Sequence, residues 1–282
     1  MKKELLKHLV VIRGGGDIST GIAVTLWRVG YHVLLLEQAR PTSLRREASF
    51  ADCVYSGEKT VERVTCRCAA SFAEARELLK TQGIAMLVDP IGRVIHKLKD
   101  CILVDAVNDG AVRENKWPLS FSIGLGEGFC AGQDVDCVVE LVRSFEMGKV
   151  IKEGRTQKLE QRNAQPSETD CIMMSPVEGV FTAKRTIGAI IKTGDPVGEV
   201  IDDKSVVYII TSPCDGILRG LIHDGNRVAQ GQDIAEVDMR VTPRQCARVA
   251  DRARAVAGGV LEAVLHLKGC HSPETPEKRS AC

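Results

Sequence analysis

The 282-residue sequence predicts an α/β protein made of a parallel-sheet domain followed by a small all-β domain. Three observations carry this. A buried-strand run leads into a glycine loop and a helical period near the start, a polar stretch follows at 152–170, and a pattern then repeats at a spacing of 37 residues. A chain of this length gives each part enough residues to bury a core. The expected boundaries are 1–151 for the first domain, 152–170 for a linker, 171–240 for the duplicated domain, and 241–282 for a C-terminal helical segment and tail.

Leu9-Val10-Val11-Ile12 is continuously apolar and rich in β-branched residues, as in a strand covered on both faces. It stops at Arg13-Gly14-Gly15-Gly16-Asp17. Ile18, Ile22, Leu26 and Val29 then recur at helical spacing, and Gly30 ends the helix as a left-handed cap. Val33 to Leu36 returns to strand and finishes on Glu37. Glycines let a backbone approach a pyrophosphate closely, and a helix start offers unpaired N–H groups with partial positive charge. Glu37, 23 residues after Gly14, is placed to accept bonds from a ribose diol. The unit therefore predicts a Rossmann-like domain that holds a nucleotide or dinucleotide through Gly14, Gly15, Gly16, Asp17 and Glu37. The loop departs from GxGxxG, because Ser19 replaces the third glycine and Gly21 arrives two positions late. Asp17 also sets a negative charge beside the phosphate position. A tight βα turn without a ligand remains open as the plainer reading.

Further along, Ser71-Phe72-Ala73-Glu74 reads as a capping box that opens a helix. Short apolar runs, Ile84 to Val88 and Cys101 to Val104, end on Asp89 and Asp105. Acids there lie on the ligand rim of an open sheet or act as turn formers; Asp89 before Pro90 favours the turn. Asn108-Asp109-Gly110 is a turn. Phe121-Ser122-Ile123 leads into a second glycine loop, in which Gly124 and Gly126 are candidate ligand contacts. Asp134 reads as the N-cap of a helix running through Phe145 and ended by Gly148.

After the linker, Ser175-Pro176-Val177-Glu178-Gly179 recurs as Ser212-Pro213-Cys214-Asp215-Gly216. Gly188 recurs as Gly225, Gly194 as Gly231, and Glu199-Val200 as Glu236-Val237. Each half consists of short β runs between glycine turns, with too little apolar surface to stand alone. Two halves wrapped round each other would close a flattened barrel, which resembles the biotinyl/lipoyl barrel-sandwich hybrid. Carrier domains of that kind modify a lysine at the turn between halves. Here Lys204 stands there without flanking methionines and after Asp202-Asp203. Without a modified lysine, such a domain docks or bridges partners. The segment from Thr242 with Gly258 to Leu265 reads as a short helical region, and the sequence from His271 as a charged, proline-bearing disordered tail.

With 38 basic against 37 acidic side chains, the charge gives no reason to expect nucleic acid or an anionic membrane as partner. No apolar run approaches the roughly 20 residues of a spanning helix. The start lacks the long apolar core of a signal peptide. The 11 cysteines are odd in number and irregularly spaced, without CxxC. That pattern predicts 11 free thiols in a cytoplasmic protein, with Cys66 and Cys68 on one strand face as a vicinal alternative, and no zinc site.

Taken together, the chain resembles the YqeB family of selenium-dependent molybdenum hydroxylase system proteins. The resemblance rests on Val10 to Asp17 with Thr20-Gly21, Glu37 to Thr42 followed by Arg45-Arg46, and Phe50 to Gly57. It continues through Ile123 to Gly126 with Gly128-Phe129 and Ala131-Gly132, and through Ser212-Pro213 with Asp215-Gly216. The last piece is Val237 to Arg240 with Gly258 to Val264. Glu127 stands where proline is expected, and Glu140 to Phe145 replaces a more polar segment. In its nucleotide-binding part the family looks related to XdhC/CoxI-like accessory proteins, which assist molybdenum cofactor insertion or sulfuration in hydroxylases such as xanthine dehydrogenase. The resemblance implies a maturation factor rather than a catalyst, with a molybdenum hydroxylase or its cofactor machinery as partner and homo-oligomers open. The implied ligand is NAD(P), another nucleotide or a molybdopterin dinucleotide. An NAD(P)-dependent oxidoreductase is the enzyme alternative, although no Tyr-x-x-x-Lys or His/Asp acid–base set stands out. A biotin- or lipoate-type carrier using Lys204 is the third reading.

Lys204 is expected to be unmodified, because its acidic neighbours and missing methionines spoil the usual modification context. Intact-mass measurement of native protein checks this; a biotin- or lipoate-sized increment would overturn it.

Overall fold

The computed structural model describes residues 8–98, 100–107, 117, 119, 121–156 and 170–267. The chain begins with strand β1 (Leu9–Arg13), helix α1 (Asp17–Arg28) and β2 (His32–Glu37). After the short helix α2 (Cys53–Ser56) come β3 (Glu58–Val61), β4 (Val64–Ala69), α3 (Phe72–Gln82), β5 (Ile84–Val88) and β6 (Ile102–Asp105). Then follow β7 (Phe121–Leu125), β8 (Cys137–Val139) and β9 (Val150–Ile151). These strands form one nine-stranded sheet in the order β3-β4-β5-β2-β1-β6-β7-β8-β9. Every residue of β1 is buried, as a central strand between two covered faces requires. Val10 and Ile12 join the core cluster under α1, while Leu9 and Val11 join the opposite cluster with Leu79 of α3.

The sheet is mixed. β3 pairs antiparallel with β4, and β8 antiparallel with β9, at its two edges. This corrects the expected Rossmann-like parallel sheet followed by a biotinyl/lipoyl-like domain. The segment from Asp134 to Phe145 shows why the expectation fails on one side. Asp134 Oδ1 accepts from the Cys130 N–H at 2.6 Å and closes a turn, so it caps no helix. Cys137-Val138-Val139, compact and β-branched, pairs in parallel with Ile123 to Leu125 and extends the sheet. On the other edge, Glu62 and Arg63 take positive φ in the tight turn that folds β3 onto β4.

The remaining strands are β10 (Asp170–Met174), β11 (Gly179–Ala183), β12 (Ile190–Ile191), β13 (Pro196–Ile201), β14 (Val207–Thr211), β15 (Gly216–Leu221), β16 (Arg227–Val228) and β17 (Asp233–Asp238). They form two antiparallel sheets, β10-β17-β15-β12 and β14-β13-β11-β16. The 37-residue repeat is visible strand by strand: β10 maps onto β14, β11 onto β15, β12 onto β16 and β13 onto β17. Each sheet takes two strands from each half, so neither half can close its own core. Corresponding turns make the same bond, with Ser175 Oγ donating to Val177 O and Ser212 Oγ to Cys214 O, both at 2.6 Å.

This unit is not a free-standing small barrel. Leu44, from the first half of the chain, packs half-buried against its core. The Leu221 N–H donates to Leu44 O at 2.8 Å, and the Tyr55 ring stacks on His223 at 3.7 Å. The exchange of strands also brings Cys171 and Cys214 to a Cα separation of 6.5 Å, where they form a disulfide. That corrects the expectation of 11 free thiols; the sequence separation of 43 residues gave no sign of the approach.

The last helix, α4 (Asp251–Leu267), returns to the first sheet and lies on α1. Val256, Val260 and Val264 join the cluster under the sheet. Small residues set the distance: a Cβ on Gly21 of α1 would meet the Ala253 Cβ at 2.8 Å. A Cβ on Gly259 would enter the space of the Gly148 carbonyl oxygen, whereas one on Gly258 would meet nothing within 4 Å. The linker residues 157–169, the turn at 108–110 and the tail beyond 267 lie outside the described residues.

Two neighbouring glycines therefore make opposite predictions. Gly258→Ala should stabilise the protein by about 0.5–1 kcal/mol through helix propensity. Gly259→Ala should cost about 1–3 kcal/mol through overpacking against backbone. Urea unfolding of both variants checks the sign of each.

Candidate functional site

The β1–α1 loop opens into a cleft of about 540 Å³. Gly14, Gly15 and Gly16 line one side; the segment Thr42 to Arg45 and residues Ile172, Asp233 and Glu236 of the second unit line the other. Asp17, Glu37 and Arg252 also face it. The three glycines do different jobs. Gly14 has φ +90, a conformation only glycine takes without strain, and its N–H donates to Leu36 O at 2.8 Å.

Gly15 is committed to the protein. Its N–H donates to Glu37 Oε2 at 2.7 Å, and its carbonyl accepts from Ala51 N at 2.8 Å and Ser49 Oγ at 2.9 Å. A Cβ there would meet Met86 Cε at 2.7 Å and Ala51 N and Glu37 Oε2 at 3.2 Å, so any larger residue would make these neighbours shift. Glu37 Oε1 takes the Gln38 N–H at 2.8 Å. Burial raises the Glu37 pKa above the usual carboxylate value, against the opposing pull of the Gln38 and Gly15 amides. Gly16 is the position that faces open space. It is the N-cap of α1 at φ −61, ψ −177, and a Cβ there would meet only Ser43 Oγ, at 3.9 Å.

Arg45 joins the two walls. Its Nε and Nη2 donate to the Glu236 carboxylate at 2.9 and 2.7 Å, and its Nη1 to Asp17 Oδ2 at 3.2 Å. Burial opposes the charge, but the bonds to Glu236 and Asp17 outweigh it and raise the Arg45 pKa. Asp17 thus serves as a partner of Arg45. Arg252, from the first turn of α4, donates to Leu141 O at 3.2 Å, and burial lowers its pKa.

The other candidate residues sit elsewhere. Gly124 packs beneath Phe129, whose ring fills the place of any Cβ, and Gly126 packs on Leu141. Neither lines the cleft, although Leu125 between them does. Asp89 accepts the N–H groups of Arg93 and Val94 at 3.0 and 2.8 Å, which is turn capping. Asp105 is fully buried and takes Arg13 at 2.6 Å, with the Arg13 guanidinium over the Trp117 ring. At the start of α3, the Ser71 side chain caps Glu74 N–H, while Glu74 reaches back to Ala70 N–H.

Lys204 lies in the exposed β13–β14 turn, where Asp202 Oδ1 accepts the Lys204 and Val206 N–H groups. The thiols of Cys53 and Cys68 are pushed up, first by their contacts with neighbouring thiols and also by burial. Cys101 and Cys137 are raised by burial to about 12, so neither is a nucleophile at neutral pH. Among the described residues no cluster of three or more His, Cys, Asp or Glu could hold a metal. No helix among them is long and apolar enough to cross a membrane.

Sequence reasoning singled out the glycines, Asp17 and Glu37 but missed Arg45, Asp233, Glu236 and Arg252 as cleft residues. Arg45 was legible only as part of the Arg45-Arg46 pair; its partner lies 191 positions away. Arg45→Gln should cost about 2–4 kcal/mol, because it strands Glu236, which is 4% exposed, without its cation. Adding Glu236→Gln in that background should cost far less than it does alone, and a double-mutant cycle in urea measures the coupling.

No protein-family model matches the chain. Among solved structures, a succinylglutamate desuccinylase/aspartoacylase from Rhodobacter sphaeroides aligns with 83% of this chain and 86% of its own, at 16% identity and a TM-score of 0.27. An aspartoacylase family protein from Mesorhizobium loti aligns with 83% and 86%, at 11% identity and a TM-score of 0.26. Scores this low establish no common fold. In sequence, the Escherichia coli (strain K12) protein YqeB is 36% identical over 265 residues, 92% of this chain. The chain spans about half the length of that curated relative, 48%. This similarity supports the YqeB family, and the chain is a homologue of YqeB.

Proposed function

We propose that this chain is an accessory, maturation-type factor for molybdenum hydroxylases, selenium-dependent ones included, and that it holds a nucleotide or molybdopterin-dinucleotide-type ligand in the cleft between its two units. The observation that carries the binding part is the cleft itself: about 540 Å³, opening at the β1–α1 loop, with walls supplied by both units. Its lining favours a particular kind of ligand. Asp17, Glu37, Asp233 and Glu236 are acceptors, and Arg45 neutralises part of their charge. Carboxylates recognise hydroxyls and N–H groups, so the lining suits a ribose diol or a donor-rich heterocycle such as a pterin or guanine. Gly15 cannot give its N–H to a phosphate while Glu37 holds it. The ligand's polar ring and sugar are therefore the parts placed here. The maturation role draws on the similarity to YqeB and on the resemblance of the nucleotide-binding part to XdhC/CoxI-like accessory proteins.

Calorimetric binding of a panel tests the reading: NAD, NADP, cytosine and guanine nucleotides, and molybdopterin dinucleotide. Gly16→Val is the informative variant, since its side chain would project into the cleft and meet little of the protein. It should weaken binding of the true ligand by at least about tenfold while the thermal melt holds. Failure of every panel member to bind wild type, or unchanged binding to folded Gly16→Val, would remove the cleft as the ligand site.

A further inference from the structure

A second cleft of about 320 Å³ lies beyond the first, where β17 and the segment after it meet the start of α4. Four arginines line it, Arg143, Arg219, Arg240 and Arg248, against two carboxylates, Asp238 and Asp251. The carboxylates do not cancel the arginines. Asp238 is completely buried and takes Arg219 at 2.7 Å and Arg240 Nε at 3.2 Å, so one acid serves two guanidiniums. Burial works against the Asp238 charge, but the bonds from Arg240 and the nearby charge of Arg219 lower its pKa. It stays ionised and keeps both arginines in place. Asp251 Oδ1 accepts the Arg252 N–H at 2.8 Å and pairs with Arg143 at 3.2 Å, an exposed ion pair that water screens. The lining carries two positive charges in excess. The first turn of α4 brings the positive end of a helix dipole to the same cleft, which adds to the pull of the arginines on an anion.

We propose that this arginine cleft is a binding site for a phosphate-type oxyanion. Guanidiniums are planar forks that match phosphate oxygens two at a time, and a pocket with several of them around one concavity suits a diphosphate better than a single carboxylate. The site is independent of the glycine-loop cleft, whose acceptor lining has the opposite preference. The two clefts are neighbours: Glu236 faces the first and Asp238, two residues along β17, faces the second, a spacing of roughly 7 Å. On the far wall, Arg252 lines the first and Asp251 the second. The phosphate chemistry has two sources, a free phosphate or diphosphate, or the phosphoryl end of a ligand whose sugar and ring occupy the first cleft.

Calorimetry with inorganic pyrophosphate and phosphate, at low and physiological salt, tests the site directly. Wild type should bind pyrophosphate with an affinity that falls as salt rises. The double variant Arg143→Gln/Arg248→Gln, altered only at exposed positions, should lose at least about tenfold, and Gly16→Val should bind pyrophosphate as wild type does. Arg248→Glu provides a second variant should the double one melt early. A nucleotide weakened by both Gly16→Val and the arginine variants identifies the spanning source; pyrophosphate binding that depends on the arginines alone identifies the free anion. Wild type that binds neither anion at millimolar concentration, or folded arginine variants that bind pyrophosphate as tightly as wild type, would overturn the proposal whatever happens at the first cleft.

Discussion

Arg45 sits where the two halves of the molecule meet, and the arrangement of the site follows from its three bonds. One carboxylate comes from the first turn of α1 and the other from β17, so the guanidinium fixes the glycine loop against a strand 191 residues away in sequence. An ion pair this buried contributes little net stability over an apolar contact, because desolvation offsets most of the attraction. Its effect is on geometry. Bidentate contact with Glu236 sets the angle of the guanidinium, and Asp17 then has one place to be. Leu44 packs against the second core directly before Arg45, and Arg46 Nε donates to Leu221 O at 2.8 Å directly after it. Three successive residues thus use apolar burial, an ion pair and a backbone bond to hold one interface.

The other constraint is the close approach of α4 to α1. A helix packs normally at 8–10 Å from its neighbour, and glycine or alanine at the contact lets the backbones come nearer. Gly21 and Ala253 are such positions, and Gly259 lets α4 approach the Gly148 carbonyl in the β8–β9 turn in the same way. The consequence reaches the site, because the same docking places Arg252 in the first cleft and Asp251 in the second. The segment from Asp134 to Phe145, where a helix had been expected, instead closes a turn, adds β8 to the sheet and continues in turns.

What the sequence made legible was local. The β1–α1–β2 unit could be read because each element declares itself within a few residues: an apolar run, a 3.6-residue period and glycine punctuation. The duplicated unit could be read because a repeat of 37 residues survives in its turns, Ser175-Pro176 and Ser212-Pro213. What stayed hidden was non-local. Nothing near Cys171 points to Cys214, and nothing near Arg45 points to Glu236. Glu37 was identified as a site residue for a sound reason, its place at the strand tip. Its bond to Gly15 depends on how the loop folds back, which spacing alone does not reveal. Asp134 misled because an N-cap side chain and a turn-closing side chain look alike in sequence; only the pairing of Cys137 to Val139 with β7 decides between them.

The electrostatics of the two clefts differ for a structural reason. In the first, carboxylates come from the ends of strands and helix starts that converge on the glycine loop. They can be accommodated because two of them share Arg45 and a third, Glu37, is satisfied by backbone amides. In the second, Asp238 is buried and spent on two arginines, so the excess charge is positive and faces outward. A single extended strand, β17, carries a carboxylate of each site, Glu236 and Asp238, two residues apart. Acceptors on one side of the α4 start and cations on the other form a polar axis along the end of β17. A ligand with donors at one end and oxyanion at the other would lie along that axis in only one direction.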